Sequence, residues 1–528
     1  MLYFHQAIKK LSNINYFWCY LQRWSLTYIN KNARICFWYF GAKLMRSRRL
    51  ALRTKRLATA AQSLSRLGGP NPINQHGGNA LMISIRGFWD EHREHELLIA
   101  SALQNLGYQV RQTTCPGGAE VCGFDHMEMP HLGYPRHCGE CRHYCSIKID
   151  GSTLDRSSSF RYTPTILSDD EVIEISKYGR LRHALGDHTN TANIPEFISS
   201  ARVFERWFLS KIKESRPAVV VLFNGLFFPE HIFLQICAKM RIPVLCHERG
   251  MRKGSLFLSK DSAACHYRAD AIWEAWLTQR SGLDLANFAL LGRNYLYKRL
   301  RGPEDPHGNP RKRSHSKISK FKGQYFVFFP SVAHDTASMG KDGIMGDLYQ
   351  SAFALCRAAE LAKKNLVIRI HPDESNANFP SKLPIKNYLL SRGVNEQYIE
   401  FIAPDDEVDS YRLAWNAAGC FVYNGTLGIE LPSLGIKVYN LGRSHYCGKD
   451  FTEEIKNSDE LEKSMLCNKD YRLGHSSRLK AQVYLYYYVY IANLSINNVF
   501  SNSEQISSIA MKEFSAVKDR IFYLLSGK

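Results

Sequence analysis

CFVYNGTLGIELPSLGIKVYNLG, residues 420–442, is the stretch on which the fold turns. Cys420 to Tyr423 is a short apolar run of strand composition, Asn424-Gly425-Thr426 is turn chemistry, and Leu427 to Leu434 allows one or two helical turns. Gly435 then stops the helix, and Lys437 to Tyr439 reads as a second strand. Strand, turn, helix and strand at this pace is the βαβ unit of a parallel sheet, in which ligands bind beyond the carboxyl ends of the strands. Gly425 lets backbone N–H groups approach a ligand, and the helix that follows points its positive end at it, which suits an anion. Glu430, about one turn deeper, could accept hydrogen bonds from sugar hydroxyls. Taken alone, Thr426 reads equally well as an N-cap and Glu430 as a surface residue.

The same alternation extends on both sides. Tyr325 to Phe329 reads as a strand, Asp347 to Lys363 as a helix, Leu366 to Ile370 and Tyr398 to Ile402 as strands, and Glu407 to Ala418 as a helix. An earlier series runs through a strand at Leu81 to Ile85, a helix carrying His92 and His95, and a strand at Tyr108 to Val110. It continues with a strand at Ala218 to Phe223, a helix at Glu230 to Met240 and a strand at Pro243 to Cys246. Between the two series the apolar pattern disappears, through Pro306, Pro310 and Arg311-Lys312-Arg313. The reading is an α/β protein of two domains with parallel sheets, joined by a polar hinge that leaves a cleft between them. Its boundaries are an extension over 1–78, a first domain over 79–305, a linker over 306–322, and a second domain over 323–528 that includes packing helices near the C-terminus. The strand ends put Ser331, His371 and the 424–428 loop in the second domain, and Asn224, Glu248 and Arg249 in the first. Pro372 stops a strand immediately after His371 and fixes the imidazole at the sheet edge.

At 528 residues the chain exceeds one core, and its formal charge is +20. Residues 1–89 contain fourteen Lys and Arg and no Asp or Glu, so the body is only mildly basic and the N-terminal extension is cationic. Tyr16-Phe17-Trp18 and Phe37-Trp38-Tyr39-Phe40 interleave with that charge, a composition suited to an anionic membrane surface. A nucleic-acid arm, a leader, or a natural start at Met45 are the other readings of the same extension. No apolar run reaches about 18 residues, so no transmembrane helix is expected. No small-residue cleavage site follows a compact apolar core, which argues against a secretory signal. Fourteen scattered cysteines indicate reduced thiols of a cytosolic protein. One cluster stands apart, with Cys115, Cys122, Cys138, Cys141 and Cys145 interspersed with His126, His131, His137 and His143. A structural zinc at Cys115, Cys122, Cys138 and Cys141 and a loop of free thiols both satisfy this pattern.

Phe329-Pro330-Ser331, Arg369-Ile370-His371-Pro372, Asp409-Ser410-Tyr411, Tyr423 to Glu430, Leu434-Gly435 and Leu441 to Tyr446 occur in this order, after Asn224-Gly225 and His247 to Gly250. Over roughly Leu81 to Thr452 this ordered set resembles the bacterial capsule and surface polysaccharide glycosyltransferases, the group that includes the capsular Kdo transferases. Where that family often has Ser-Thr this chain has Gly425-Thr426, and Pro432-Ser433 replaces a small apolar pair. The resemblance implies a GT-B-like fold of two Rossmann-like domains with parallel sheets facing across a cleft, an acceptor domain followed by a nucleotide-sugar-binding domain. It implies that Ser331, His371, Asn424, Gly425, Thr426, Gly428 and Glu430 hold the donor. Asn224, Glu248 and Arg249 would then face the acceptor as catalytic residues. A nucleotide sugar, a polysaccharide or glycolipid acceptor, the inner face of the cytoplasmic membrane and polysaccharide assembly or export machinery are the implied partners, with no nucleic acid and no cofactor required for catalysis. No Asp-x-Asp motif sits at a strand end, so this layout requires no metal. A teichoic-type polyol-phosphate transferase of the same fold would make a phosphodiester instead, and a basic nucleic-acid-binding protein would show a salt-dependent gel shift.

Overall fold

The computed structural model describes residues 50–67, 77–117, 119–122, 138–155, 163–187, 193–264, 270–302, 319–321, 324–335, 338, 346–376, 380–466, 472–500 and 507–527. The basic arm before residue 50, most of the 306–322 linker and the Cys/His loop over 123–137 lie outside the described residues. Residues 1–58 and 59–528 are two compact units; residues 50–58 of the first are helical, and the remaining description concerns the second.

The first domain runs β1 (Asn79–Ser84), α1 (Asp90–Asn105), β2 (Gln109–Thr114), α2 (Cys138–Cys145), β3 (Thr153–Asp155), α3 (Asp169–His183), α4 (Ile194–Ser215), β4 (Pro217–Phe223), α5 (Glu230–Met240), β5 (Val244–Arg249), β6 (Ser255–Lys260), α6 (Asp270–Thr278) and α7 (Gly282–Arg301). The second runs β7 (Tyr325–Phe329), α8 (Leu348–Leu361), β8 (Asn365–Arg369), a single 3-10 turn (Pro372–Ser375), α9 (Ile385–Ser391), β9 (Ile399–Ile402), α10 (Ser410–Trp415), β10 (Gly419–Val422), α11 (Leu427–Ser433), β11 (Val438–Asn440), β12 (Glu453–Glu454) and α12 (Ser458–Leu466). The chain then forms α13 (His475–Tyr486), a π-helical continuation (Tyr487–Ala492), β13 (Asn493–Ser495) and α14 (Ser508–Ser526).

Strand order in the second sheet is β12-β11-β10-β7-β8-β9, parallel throughout. The first sheet has the order β13-β6-β5-β4-β1-β2-β3, parallel from β3 to β5, with β6 antiparallel to β5 and β13 antiparallel to β6. In each sheet the order reverses about the first strand, β1 beside β4 and β7 beside β10, and these crevices are the topological switch points where doubly wound sheets take ligands.

Burial explains the apolar runs. Tyr325, Val327 and Phe329 enter one core with Val422 and Leu431, while Phe326 and Phe328 enter the other with Leu355 and Ile368. A strand covered on both faces has no solvent side to carry polar residues. Helix starts follow local chemistry: Ser168 and Ser281 form capping boxes with Glu171 and Asp284, and Asp347 and Asp409 cap α8 and α10. The Asp409 cap also shortens the helix expected over 407–418 to Ser410–Trp415.

The C-terminal segment departs from the expected partition. β13 pairs with β6 and α14 packs on α1, so residues 493–526 add to the first domain rather than completing the second. The return path is α13, which lies against α7 so closely that a methyl at Gly292 would meet the Gln482 carbonyl oxygen at 2.2 Å.

Candidate functional site

The carboxyl ends of the two sheets meet through α3 and the loop after β7. Arg182, near the end of α3, donates to the His334 carbonyl and lies over the Phe227 ring at 4.4 Å. Its guanidinium is within electrostatic reach of Asp335 from the second domain and Glu248 from the first. Lys382 N donates to the Leu185 carbonyl at 3.0 Å, and the Tyr349 hydroxyl to the Leu383 carbonyl at 2.7 Å. Gly186, at φ +88°, lets Ala333 approach to van der Waals distance. Burial is the leading cause that lowers the His334 pKa to about 4, with Arg182 adding to it. His334 ends the strand-end stretch 329–334 that the sequence marks, whereas Arg182 and Asp335 carry no sequence signal.

On the first-domain side, Asn224 sits just after β4 with φ 50°, and Gly225 follows at φ 98°. Short polar Asn tolerates this left-handed region. Gly225 needs its missing Cβ, which would lie 3.1 Å from the Ala263 Cα and the Cys246 Sγ. The turn holds the Asn224 amide rigidly: Oδ1 accepts from Leu226 N at 3.0 Å, and Nδ2 donates to Glu248 Oε2 at 2.8 Å. Glu248 Oε1 accepts from Arg249 N at 2.9 Å and lies 3.7 Å from His92 Nε2. Burial pushes the Glu248 pKa up to about 7, against the pull of Asn224 and the Arg249 backbone, although the side chain keeps 27% of its exposure. Arg249 is exposed at the strand end. Asn224 therefore positions Glu248, which is the carboxylate presented to the cleft. At the β1/β4 crevice, Arg86 and Glu230 form a buried ion pair, with Arg86 also donating to the Phe228 carbonyl at 3.1 Å.

On the second-domain side, Ser331 follows β7 and Asn424 follows β10, and the Ser331 hydroxyl donates to Asn424 Oδ1 across the switch point. His371 caps the turn after β8, its Nδ1 accepting from Asp373 N at 3.2 Å. That bond assigns Nδ1 as acceptor and leaves Nε2–H as the donor of the neutral ring, with 42% of the side chain exposed. Burial lowers the His371 pKa, while Asp373 and Asp335 oppose the shift. Thr426 begins α11 without a side-chain capping bond, and a Cβ on Gly425 would meet open space.

Two residues expected at the donor are engaged within the protein. A Cβ on Gly428 would collide with the Tyr446 hydroxyl at 2.1 Å; that hydroxyl donates to the Gly425 carbonyl at 2.9 Å, so Gly428 makes room for the group that holds the loop. Glu430 is 0% exposed, with Arg299 from α7 on one carboxylate oxygen and the Tyr411 hydroxyl on the other. A cavity of about 430 Å³ opens beside this pair, lined by Tyr297, Asp409, Tyr411, Arg412, Trp415 and Arg478.

The expected cysteine zinc site is not formed among the described residues. Cys141 Sγ is instead held at the end of β1, accepting from Gly87 N at 3.4 Å and lying 3.6 Å from the Ile85 carbonyl, while Cys115 Sγ accepts from Gly117 N at 3.4 Å. The side chain of Cys138 lies outside the described residues. The group among the described residues whose geometry could take a metal is His92, His95 and His247. Helical i, i+3 spacing put the first two on one face of α1, but their approach to β5 carried no sequence signal.

Two Rossmann-like α/β domains with switch points facing one another define the GT-B class of fold. No family model and no curated protein matches the chain. Among solved structures, it is similar to the Thermosulfurimonas dismutans KpsC beta Kdo 2,4 transferase, at 14% identity over 57% of this chain and 87% of that chain, with a TM-score of 0.37. The beta Kdo 2,7 transferase of the same KpsC gives 14% identity, 59% and 89% coverage and a TM-score of 0.33. The Methanocaldococcus jannaschii UDP-GlcNAc 2-epimerase, in complex with UDP-GlcNAc and UDP, gives 11%, 77% and 99%, with a TM-score of 0.26.

Proposed function

We propose that the protein is a glycosyltransferase that moves a sugar from a nucleotide-sugar donor onto a surface or capsular polysaccharide or glycolipid acceptor. The observation that carries this reading is the pairing across the cleft. An Asn224-held carboxylate, Glu248, stands at one sheet end, and the Ser331–Asn424 switch point with His371 stands at the other. Transfer from a nucleotide sugar requires neutralising charge on a departing phosphate and orienting an acceptor hydroxyl. The Nε2–H of His371 and the open backbone at Gly425 supply donors for the phosphate, and the Ser331–Asn424 hydrogen bond fixes the turn that carries Gly425 before the substrate arrives. Glu248 is placed to accept a hydrogen bond from the acceptor hydroxyl and take its proton. Arg182 ties the two ends and keeps the distance between donor and acceptor short.

Glu430 acts on the donor indirectly in this reading, through Tyr411 at the wall of the neighbouring cavity. The basic arm delivers the enzyme to an anionic inner membrane surface, where a lipid-linked or exported acceptor and its assembly machinery are found. Among the described residues no helix is long and apolar enough to cross a membrane.

The test is incorporation of radiolabelled sugar from a panel of UDP- and CMP-linked donors into acid-precipitable or lipid-extractable product. Transfer is expected from wild type and severely reduced in Glu248→Gln. A phosphodiester product would support the polyol-phosphate alternative instead. No transfer from any donor, with acceptor-rich membranes present, would remove the reading.

A further inference from the structure

α1 crosses the face of the first sheet and sets His92 and His95 against His247 of β5. His95 stands edge to face with His92 and with His247, centroids 5.7 and 6.0 Å apart, and His92 and His247 are tilted at 54° with centroids 6.3 Å apart. One nitrogen from each lies within 4.8 Å of the others. His95 is 1% exposed and His247 0%. Both nitrogens of His95, both of His247 and Nδ1 of His92 are buried without a hydrogen-bond partner among the described residues. A buried imidazole nitrogen with no partner forfeits the hydrogen bonds it had in water. Five in one cluster would be an uncompensated cost, unless the lone pairs they turn toward one another have a shared use.

We propose that His92, His95 and His247 bind one divalent first-row transition ion of the zinc class, with the Glu248 carboxylate as the outer partner of His92. Three neutral imidazoles with an open fourth position are a familiar donor set for such ions. Metal–nitrogen bonds of roughly 2.0–2.1 Å set tetrahedral ligand atoms about 3.3 Å apart, so the rings close on the ion by shifts of about an ångström. The carboxylate lies 3.7 Å from His92 Nε2, placed as the ring's outer partner with Nδ1 turned to the ion, so it stays available to the acceptor hydroxyl. Three cations bear on the cluster: Arg93, paired with Glu96, acts on His247, Arg86, paired with Glu230, acts on His92, and the exposed Arg249 acts on His92 and His95. The site does not depend on which donor or acceptor the cleft takes.

The experiment uses the full chain without a polyhistidine tag, stripped with chelator and titrated with Zn²⁺ against a chromophoric competitor. One equivalent is expected. His95→Asn and His247→Asn should each weaken that equivalent by more than about 100-fold, beyond the range for losing an outer partner. Cys115→Ser and Cys141→Ser should leave it unchanged. Because a histidine variant can fail to fold, Co²⁺ loaded into the wild-type protein gives an independent readout. Tetrahedral visible bands without a thiolate charge-transfer band are expected. No uptake by wild type, a thiolate band, or full binding in folded His247→Asn would overturn the proposal.

Discussion

Replacing Arg299 with Met removes the cation that neutralises Glu430 and leaves a carboxylate at 0% exposure with only the Tyr411 hydroxyl to hold it. Arg299 itself is 15% exposed, so the pair is nearly dry on one side and reached by water on the other. Breaking a buried pair by removing one partner costs about 3–5 kcal/mol, and the partial exposure of Arg299 argues for the lower end, about 3 kcal/mol. Arg299 comes from the last helix of the first domain and Glu430 from the second, so the loss also loosens the seam along α7. Glu430→Met alone strands the guanidinium, which can turn to solvent, and should cost less. The double variant Arg299→Met with Glu430→Met exchanges the pair for apolar contact. It should recover at least about 2 kcal/mol relative to the sum of the single changes, the signature of a coupled pair in a double-mutant cycle. Urea midpoints at constant slope measure each term. An Arg299→Met cost under about 1 kcal/mol, the value of an exposed ion pair, would refute this placement of Glu430.

Gly428→Ala drives a methyl into the Tyr446 hydroxyl and should destabilise the protein by about 1–3 kcal/mol, read by thermal unfolding, whereas Tyr446→Phe should cost only about 1 kcal/mol. Glu374 is 5% exposed, and burial raises its pKa to about 7 from 4.5. The folded state therefore binds the proton more tightly than the unfolded chain, and stability falls as pH rises from about 4.5 to 7. Glu374→Gln should gain on wild type by up to roughly 3 kcal/mol between pH 5 and pH 8, measured by urea titration at both. Deleting residues 1–49 should release the protein from anionic vesicles while transfer to a soluble acceptor survives, each Lys or Arg at the surface being worth about 1 kcal/mol; unchanged co-sedimentation would contradict this.

The sheets were legible because their strands are covered on both faces, so Tyr325–Phe329 and Ala218–Phe223 are unbroken apolar runs. β6, Ser-Leu-Phe-Leu-Ser-Lys, mixes polar and apolar residues at the sheet's antiparallel margin, and β13 is three residues long. Neither has a period that marks it, and the return of the C-terminus to the first sheet is set by tertiary packing. Strand-end residues were readable as positions, but not their partners. Arg299 meets Glu430 across 131 residues, and Arg182 meets the His334 carbonyl across 152. Residue type alone therefore suggested an open carboxylate at 430, where the fold supplies a paired one. Cysteine spacing likewise drew attention to thiols, while buried nitrogens without partners gathered at three histidines from α1 and β5.

The central claim is that a nucleotide-sugar donor sits at the Ser331–Asn424 switch point against His371, with Glu248 reserved for the chemistry opposite. Isothermal calorimetry with UDP and CMP on wild type, His371→Ala and Glu248→Gln tests it most directly. The expected result is one nucleotide bound by wild type and by Glu248→Gln with equal affinity. His371→Ala should bind more weakly by roughly 1.5–3 kcal/mol, the value of a hydrogen bond to a charged group. No binding of either nucleotide, or wild-type affinity in His371→Ala, would contradict the claim.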